Sequence, residues 1–176
     1  SNSTTNKELR FSQPISNFTF GYQLTKISLS SDGQYFFVGS SGNGVHFSNN
    51  KNIGHPWSYS DNKELSTNGV AISSDGKYLA SVSDSGGVTL FHTTSNIPIW
   101  TYSSTDQDED FESVSISYNG DYIAASSDDG NILLFSRNSN VPLWSYSAGG
   151  AVTTISISDD GEHIVAGSDD YKVYFF

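Results

Sequence analysis

The chain has 176 residues and a formal charge of −11, from 8 Lys and Arg against 19 Asp and Glu, with a pI near 4.4. That balance argues against unassisted binding to nucleic acid or to an anionic membrane face, both of which reward clustered Lys and Arg. Cysteine and methionine are both absent, so neither a disulfide framework nor a thiolate metal site can form, and no apolar run reaches the ~18 residues a spanning helix needs.

Residues 1–13, opening SNSTTNKE, carry no apolar h-region and read as an N-terminal tail. Sequons at Asn2-Ser3-Thr4 and Asn17-Phe18-Thr19 matter only in a secreted setting. From Pro14 to Phe176 the chain is periodic. Four segments align without a gap: ISLSSDGQYFFVGSSGNGVHFS, VAISSDGKYLASVSDSGGVTLF, VSISYNGDYIAASSDDGNILLF and ISISDDGEHIVAGSDDYKVYFF. Their turn glycines, Gly33, Gly76, Gly120 and Gly161, are spaced 43, 44 and 41 residues apart. A second landmark keeps step with them: Trp57-Ser58-Tyr59, Trp100-Thr101-Tyr102 and Trp144-Ser145-Tyr146, spaced 43 and 44.

Each copy reads as four short strands. The first alternates apolar and small polar residues, as in Val114–Ser117. An Asp-Gly or Asn-Gly turn follows, where glycine supplies positive φ. The second strand, as in Tyr122–Ser127, ends at another Gly/Asp/Asn turn. The third is Ile132–Phe135, and the loop RNSNVP leads to the fourth, Trp144–Ser147. No stretch holds a helical period, so the fold class is all-β. The second strand is apolar or small on both faces, with Phe36 and Val38 on one side and Tyr35 and Phe37 on the other. A sandwich sheet usually keeps one face wet, whereas a propeller blade is covered on both. A period of ~40–45 residues with four strands is the size of one blade. The expected architecture is therefore a β-propeller of four four-stranded blades, with small residues (Gly39, Ser115, Ala125, Ser156, Gly167) where inner strands crowd the axis.

The unit SxDGxYhhhGSxDGxVxLF resembles the WD-repeat and YVTN-type propeller superfamily. The PLWSY ending resembles the fourth strand of pyrroloquinoline-quinone-type repeats, and the whole is most similar to hybrid repeats common in prokaryotic, especially archaeal, proteins. The resemblance covers about residues 14–176. The Gly-His and Trp-Asp pairs of orthodox WD repeats are missing, and AxDxxTGxxxW is incomplete, so no quinone and no other cofactor is expected.

The last copy, 155–176, stops after its third strand. Residues 14–19 supply a candidate fourth: PISNF aligns with PLWSY, placing Ser16 in the Trp144 column and Phe18 in the Tyr146 column. Three closures remain open from sequence: a homodimer forming an eight-bladed ring with exchanged N-terminal strands, a closed four-bladed monomer, and a piece of a longer propeller. Blades with flat apolar faces favour the first, because packed sheets prefer offsets of ~30°.

Candidate chemistry is sparse. His46, His55, His92 and His163 occupy different repeat columns, so no histidine metal site is expected. Serines recur in columns (Ser30, Ser73, Ser117, Ser158; Ser40, Ser83, Ser127, Ser168), as turn-satisfying hydroxyls do and a unique nucleophile does not. The run Asp106-Gln107-Asp108-Glu109-Asp110-Phe111-Glu112 reads as a solvated acidic loop, with Asp106, Asp108 and Asp110 as weaker candidate Ca²⁺ ligands. Trp57, Trp100 and Trp144 read as inter-blade packing rather than a carbohydrate-stacking stripe. The expected function is a non-catalytic scaffold for a partner protein or for self-assembly. The alternative is a ligand-binding or enzymatic propeller using the axial pocket. Acidity and the Ser/Asn/Thr-rich surface lean toward an extracytoplasmic setting.

Overall fold

Period-2 alternation interrupted every six to ten residues by turn glycines leaves the chain one economical solution, an antiparallel meander. The computed structural model describes residues 19–42, 44–50, 57–60, 66–84, 86–106 and 108–176. His55, the asparagines of both sequons and residues 14–18 of the expected outer strand lie outside them.

The first sheet runs in the order β1 (Leu24–Leu29), β2 (Tyr35–Ser40), β3 (Val45–Asn49), β4 (Trp57–Tyr59). The second has β5 (Thr67–Ile72), β6 (Tyr78–Ser83), β7 (Gly87–His92) and β8 (Trp100–Ser103). The third has β9 (Phe111–Ile116), β10 (Tyr122–Ser127), β11 (Asn131–Ser136) and β12 (Trp144–Ser147). The fourth has three strands among the described residues, β13 (Val152–Ile157), β14 (Ile164–Ser168) and β15 (Val173–Phe175). These are the blades of a β-propeller, each an antiparallel meander following the next in chain order.

The turn between the first two strands of each blade is built the same way four times. Gly33, Gly76, Gly120 and Gly161 have φ of 67°, 72°, 74° and 75°. Ahead of each, a serine hydroxyl accepts the N–H of the residue opening the next strand: Ser30 from Tyr35, Ser73 from Tyr78, Ser117 from Tyr122 and Ser158 from His163, at 3.0–3.1 Å. The same hydroxyl donates to the turn's Asp or Asn side chain. The first serine column is thereby committed to turn structure.

Each inner strand also carries a bulge near its start, where the pairing with the second strand skips Thr25, Asn68, Glu112 and Thr153 in turn. This corrects the reading of the acidic run as loop throughout. Its last two residues, Phe111 and Glu112, belong to β9, and Phe111 is fully buried. A large apolar side chain with a pocket to fill overrides the five acids of the run.

The core is not one mass but three layers, each between consecutive blades. Phe37, Val45 and Phe47 of the first blade meet Ile72, Leu79 and Phe91 of the second. Ala80, Val82, Val88 and Leu90 of the second meet Val114, Ile116, Ile123 and Phe135 of the third. Ala124, Ile132 and Leu134 of the third meet Ile155, Ile157, Ile164 and Ala166 of the fourth. Every middle blade is therefore apolar on both faces, which is the packing a propeller requires.

Candidate interaction surfaces

The internal seats define what a blade face is built to do. On the face turned toward the following blade, the third strand presents Val45 and Phe47, then Val88 and Leu90, then Ile132 and Leu134, none more than 8% exposed. On the face turned toward the preceding blade, the first strand presents Ile72, Ile116 and Ile157, each 8% exposed. Hydroxyls lock the register across two of these seats. Ser28 accepts the Ile72 N–H at 3.2 Å and Ser115 accepts the Ile157 N–H at 3.1 Å. These serines stand five residues before the turn glycine, the isoleucines four, so the bond ties equivalent strands of successive blades.

The fourth strands act as straps over the next blade. Trp57 packs on Phe91 with ring centroids 5.5 Å apart and donates its indole N–H to the Thr93 carbonyl at 2.8 Å. Trp100 packs on Phe135 at 5.3 Å and donates to the Arg137 carbonyl at 2.9 Å. Trp144 lies on Phe176 at 5.1 Å. Asn96 and Asn140 return the contact, donating to the carbonyls of Ser58 and Thr101 in the preceding blade. The tryptophan column is thus spent on joining blades.

Among the described residues the two outermost faces have no such cover. On β1, Ile27 is 71% exposed and Leu29 62%, and Ile27 lines a shallow groove with Leu24, Thr25, Lys26 and Val38. On the far face of the fourth blade, Val173 is 73% and Phe175 70% exposed, with Thr154, Ser156 and Val165 beside them. These are the same repeat positions that are buried inside the arc. Beyond them on the first blade, Phe20 and Tyr22 cover His46, which is 6% exposed; Tyr22 stacks on it at 5.1 Å and its hydroxyl lies 2.8 Å from Nε2. Tyr174 stands in the His46 column of the fourth blade and packs against Tyr146 at 5.3 Å, with the rings tilted by 54°.

The remaining polar groups sit on loops. Glu109 is buried and accepts from the Asn131 amide at 2.8 Å, while Asp106 and Asp128 accept the backbone N–H groups of Asp108 and Asp110. Desolvation, then the charges of Asp128, Asp84, Asp129 and Asp108, raises the Asp110 carboxyl above its ordinary value. Asp129 is raised by desolvation and by Asp128, Asp106, Glu109 and Asp108. Among the described residues no group of three His, Asp or Glu is placed to hold a metal ion. Asp106, Asp108 and Asp110 are neighbours held by their own loop bonds. His92 Nδ1 accepts the Thr94 N–H, and His163 stacks on Phe175 at 5.5 Å, so the described histidines lie in three different blades. In the second serine column, Ser40 and Ser168 donate to the carbonyls of Gly44 and Gly150 and Ser127 accepts the Asn131 N–H.

Sequence reasoning read Asp170 only as turn chemistry, in the Asp169-Asp170 turn after the second strand, and did not foresee that it binds Lys172 Nζ at 2.8 Å and accepts the Tyr174 hydroxyl at 2.5 Å. Those two side chains, first Lys172 and then Tyr174, hold the Asp170 carboxyl well below the usual carboxylate range. Nor did it find the Ser28 and Ser115 clamps, whose only sequence signal is a small hydroxyl midway along the first strand.

No curated protein matches the chain. The profile of the WD domain, G-beta repeat matches residues 57–92, 97–136 and 140–176. Each matched stretch opens on a strap strand and continues through the three inner strands of the next blade, so the sequence unit straddles two structural blades. The matches span more than half of the chain, and on them and on the blade geometry the chain belongs to the WD-repeat family, whose members generally act as scaffolds for protein interaction.

Proposed function

We propose that the protein is a non-catalytic scaffold that works by docking protein onto blade faces, and that its first partner is itself: two copies forming one eight-bladed ring. In this reading residues 14–19 of each chain complete the last blade, 155–176, of the other. One observation carries it. Leu29, Val173 and Phe175 occupy columns that are buried at every internal seat, and Ile27 a column buried at Val114 and Ile155 and half-buried at Val70, yet all four face solvent at the ends of the arc. Contiguous exposed apolar surface of this kind marks an interaction site.

Two further features support it. Phe20 and Tyr22, which follow the expected outer strand in sequence, pack over His46, the column that the strap residue Tyr146 packs against at Tyr174 in the fourth blade. The three matched repeats each begin with a strap, and the residues before β1 stand in that position for the first blade. The serine columns, engaged in turns, favour a scaffold over catalysis. No helix among the described residues is long and apolar enough to cross a membrane. The PLWSY-type strap supports grouping these repeats with the quinone-type hybrids of prokaryotic, archaeal-type propellers.

Multi-angle light scattering on the 176-residue chain tests the assembly. A mass of twice 19.1 kDa is expected. A mass of 19.1 kDa across the micromolar range removes the eight-bladed ring.

A further inference from the structure

Whether two open faces meet like to like or unlike to unlike decides what the assembly is. The internal seats answer this in chemical detail. Every seat joins the third-strand face of one blade to the first-strand face of the next, and none joins two faces of the same kind. The fourth blade ends in a third-strand face with Val165, Val173 and Phe175. The first blade begins with a first-strand face, Ile27 and Leu29. One is the knob half of a seat and the other the socket half.

The hydroxyl clamp extends the match to a single bond. Ser28, Ser115 and Ser156 share one repeat position, five residues before the turn glycine. The first two accept the N–H of Ile72 and Ile157 on the following blade. Ser156 holds the same position on β13 and is exposed, with no described blade packed against it. The residue that stands in the Ile72 and Ile157 column at the start of the arc is Leu29.

We propose that the exposed face of the fourth blade docks head-to-tail on the β1 face of a second copy, with Ser156 Oγ accepting the Leu29 N–H of that copy and Val173 and Phe175 packing over its first strand. This rests on self-assembly as proposed above and specifies its interface. The contact is heterologous, so each copy offers one knob and one socket, and two copies satisfy both only by closing on each other. Continuity with three existing seats selects this occupant. The same strand positions and residue types are already seated that way in all three, and the same hydroxyl in two of them.

Complementation tests it. Ile27→Asp disables only the socket and Val173→Asp only the knob; both positions are already more than two-thirds exposed, so neither charge enters the fold. Each variant alone is expected at 19.1 kDa, because every contact it can make includes one damaged half. Mixed, the intact knob of the first meets the intact socket of the second, and a heterodimer forms. Adding Ser156→Ala to the Ile27→Asp chain weakens that heterodimer about fivefold, the worth of one hydrogen bond. Adding it to the Val173→Asp chain changes nothing, because that knob is idle. A dimeric wild type whose two variants fail to complement, or a single variant that still dimerises, overturns the head-to-tail docking while leaving self-assembly standing. A monomeric wild type overturns both.

Discussion

The Ser115 hydroxyl accepts the Ile157 N–H at 3.1 Å across the boundary between the third and fourth blades. It is a side-chain bond to a backbone group 42 residues away in a different sheet, made where both strands are buried against each other. Replacing Ser115 with Ala leaves the Ile157 N–H without its partner. The cost of one such orphaned donor is about 1–2 kcal/mol, a fall of about 2–8 °C in Tm for a chain of this size. Thermal unfolding followed by circular dichroism measures it. Ala71 holds the corresponding position of the second blade without a hydroxyl, so the substitution is expected to weaken the fold without abolishing it.

The turn glycines are predicted to differ in importance despite sharing one conformation. At Gly120 a Cβ would be driven into the Tyr78 ring of the preceding blade, and at Gly161 into that of Tyr122, whereas at Gly33 it would meet open space. Gly33→Ala therefore carries only the strain of positive φ, about 1 kcal/mol. Gly120→Ala adds the displacement of a packed aromatic, and the two together are expected to cost about 2–4 kcal/mol. Urea titrations of the two variants should separate their midpoints clearly; equal midpoints would mean that Tyr78 swings away freely.

The Trp100 strap combines ring packing on Phe135 with an indole bond to the Arg137 carbonyl. Trp100→Phe keeps most of the packing and loses the bond, for about 1 kcal/mol. Trp100→Ala loses both and opens a void against Phe135, for about 3 kcal/mol. Parallel denaturation of the two variants apportions the strap between its contacts. A phenylalanine variant as damaged as the alanine one would assign the whole effect to the indole N–H.

Asp170 ties acid stability to the last blade. Its carboxyl is held below its ordinary value by Lys172 and Tyr174, so it binds a proton less readily folded than unfolded. Its contribution is present above the unfolded carboxylate range near ~4 and is lost as pH falls from there toward the folded value. Asp170→Asn is therefore expected to melt below the wild type at pH 7, with the difference closing as pH falls below about 4. A difference that stays constant between pH 7 and pH 3 would attribute the effect to geometry rather than charge.

The acidic run shows where sequence reading stopped short. Asp106 to Glu112 looks uniformly solvated as text, yet Glu109 is buried on Asn131 and Phe111 opens β9. The partner that buries Glu109 lies 22 residues ahead, across a bulge, and alternation within a six-residue strand carries no mark of it. The second and fourth strands of the third copy, by contrast, stand at Tyr122–Ser127 and Trp144–Ser147 as the pattern placed them, because their ends are set by local turn chemistry.

What the amino-acid order determined unaided was the repeating unit: four meanders, their turn glycines, strands with apolar side chains on both faces, and a tryptophan strap per boundary. Those features are local, since period-2 alternation and Asp-Gly turns act over a few residues. Only the tertiary structure decided which face of each strand meets which neighbour, that Ser28 and Ser115 reach across to another blade, and that Ile27 and Phe175 are left in solvent. These depend on residues brought together from more than forty positions apart, where burial and hydrogen-bond geometry, rather than periodicity, select the contact.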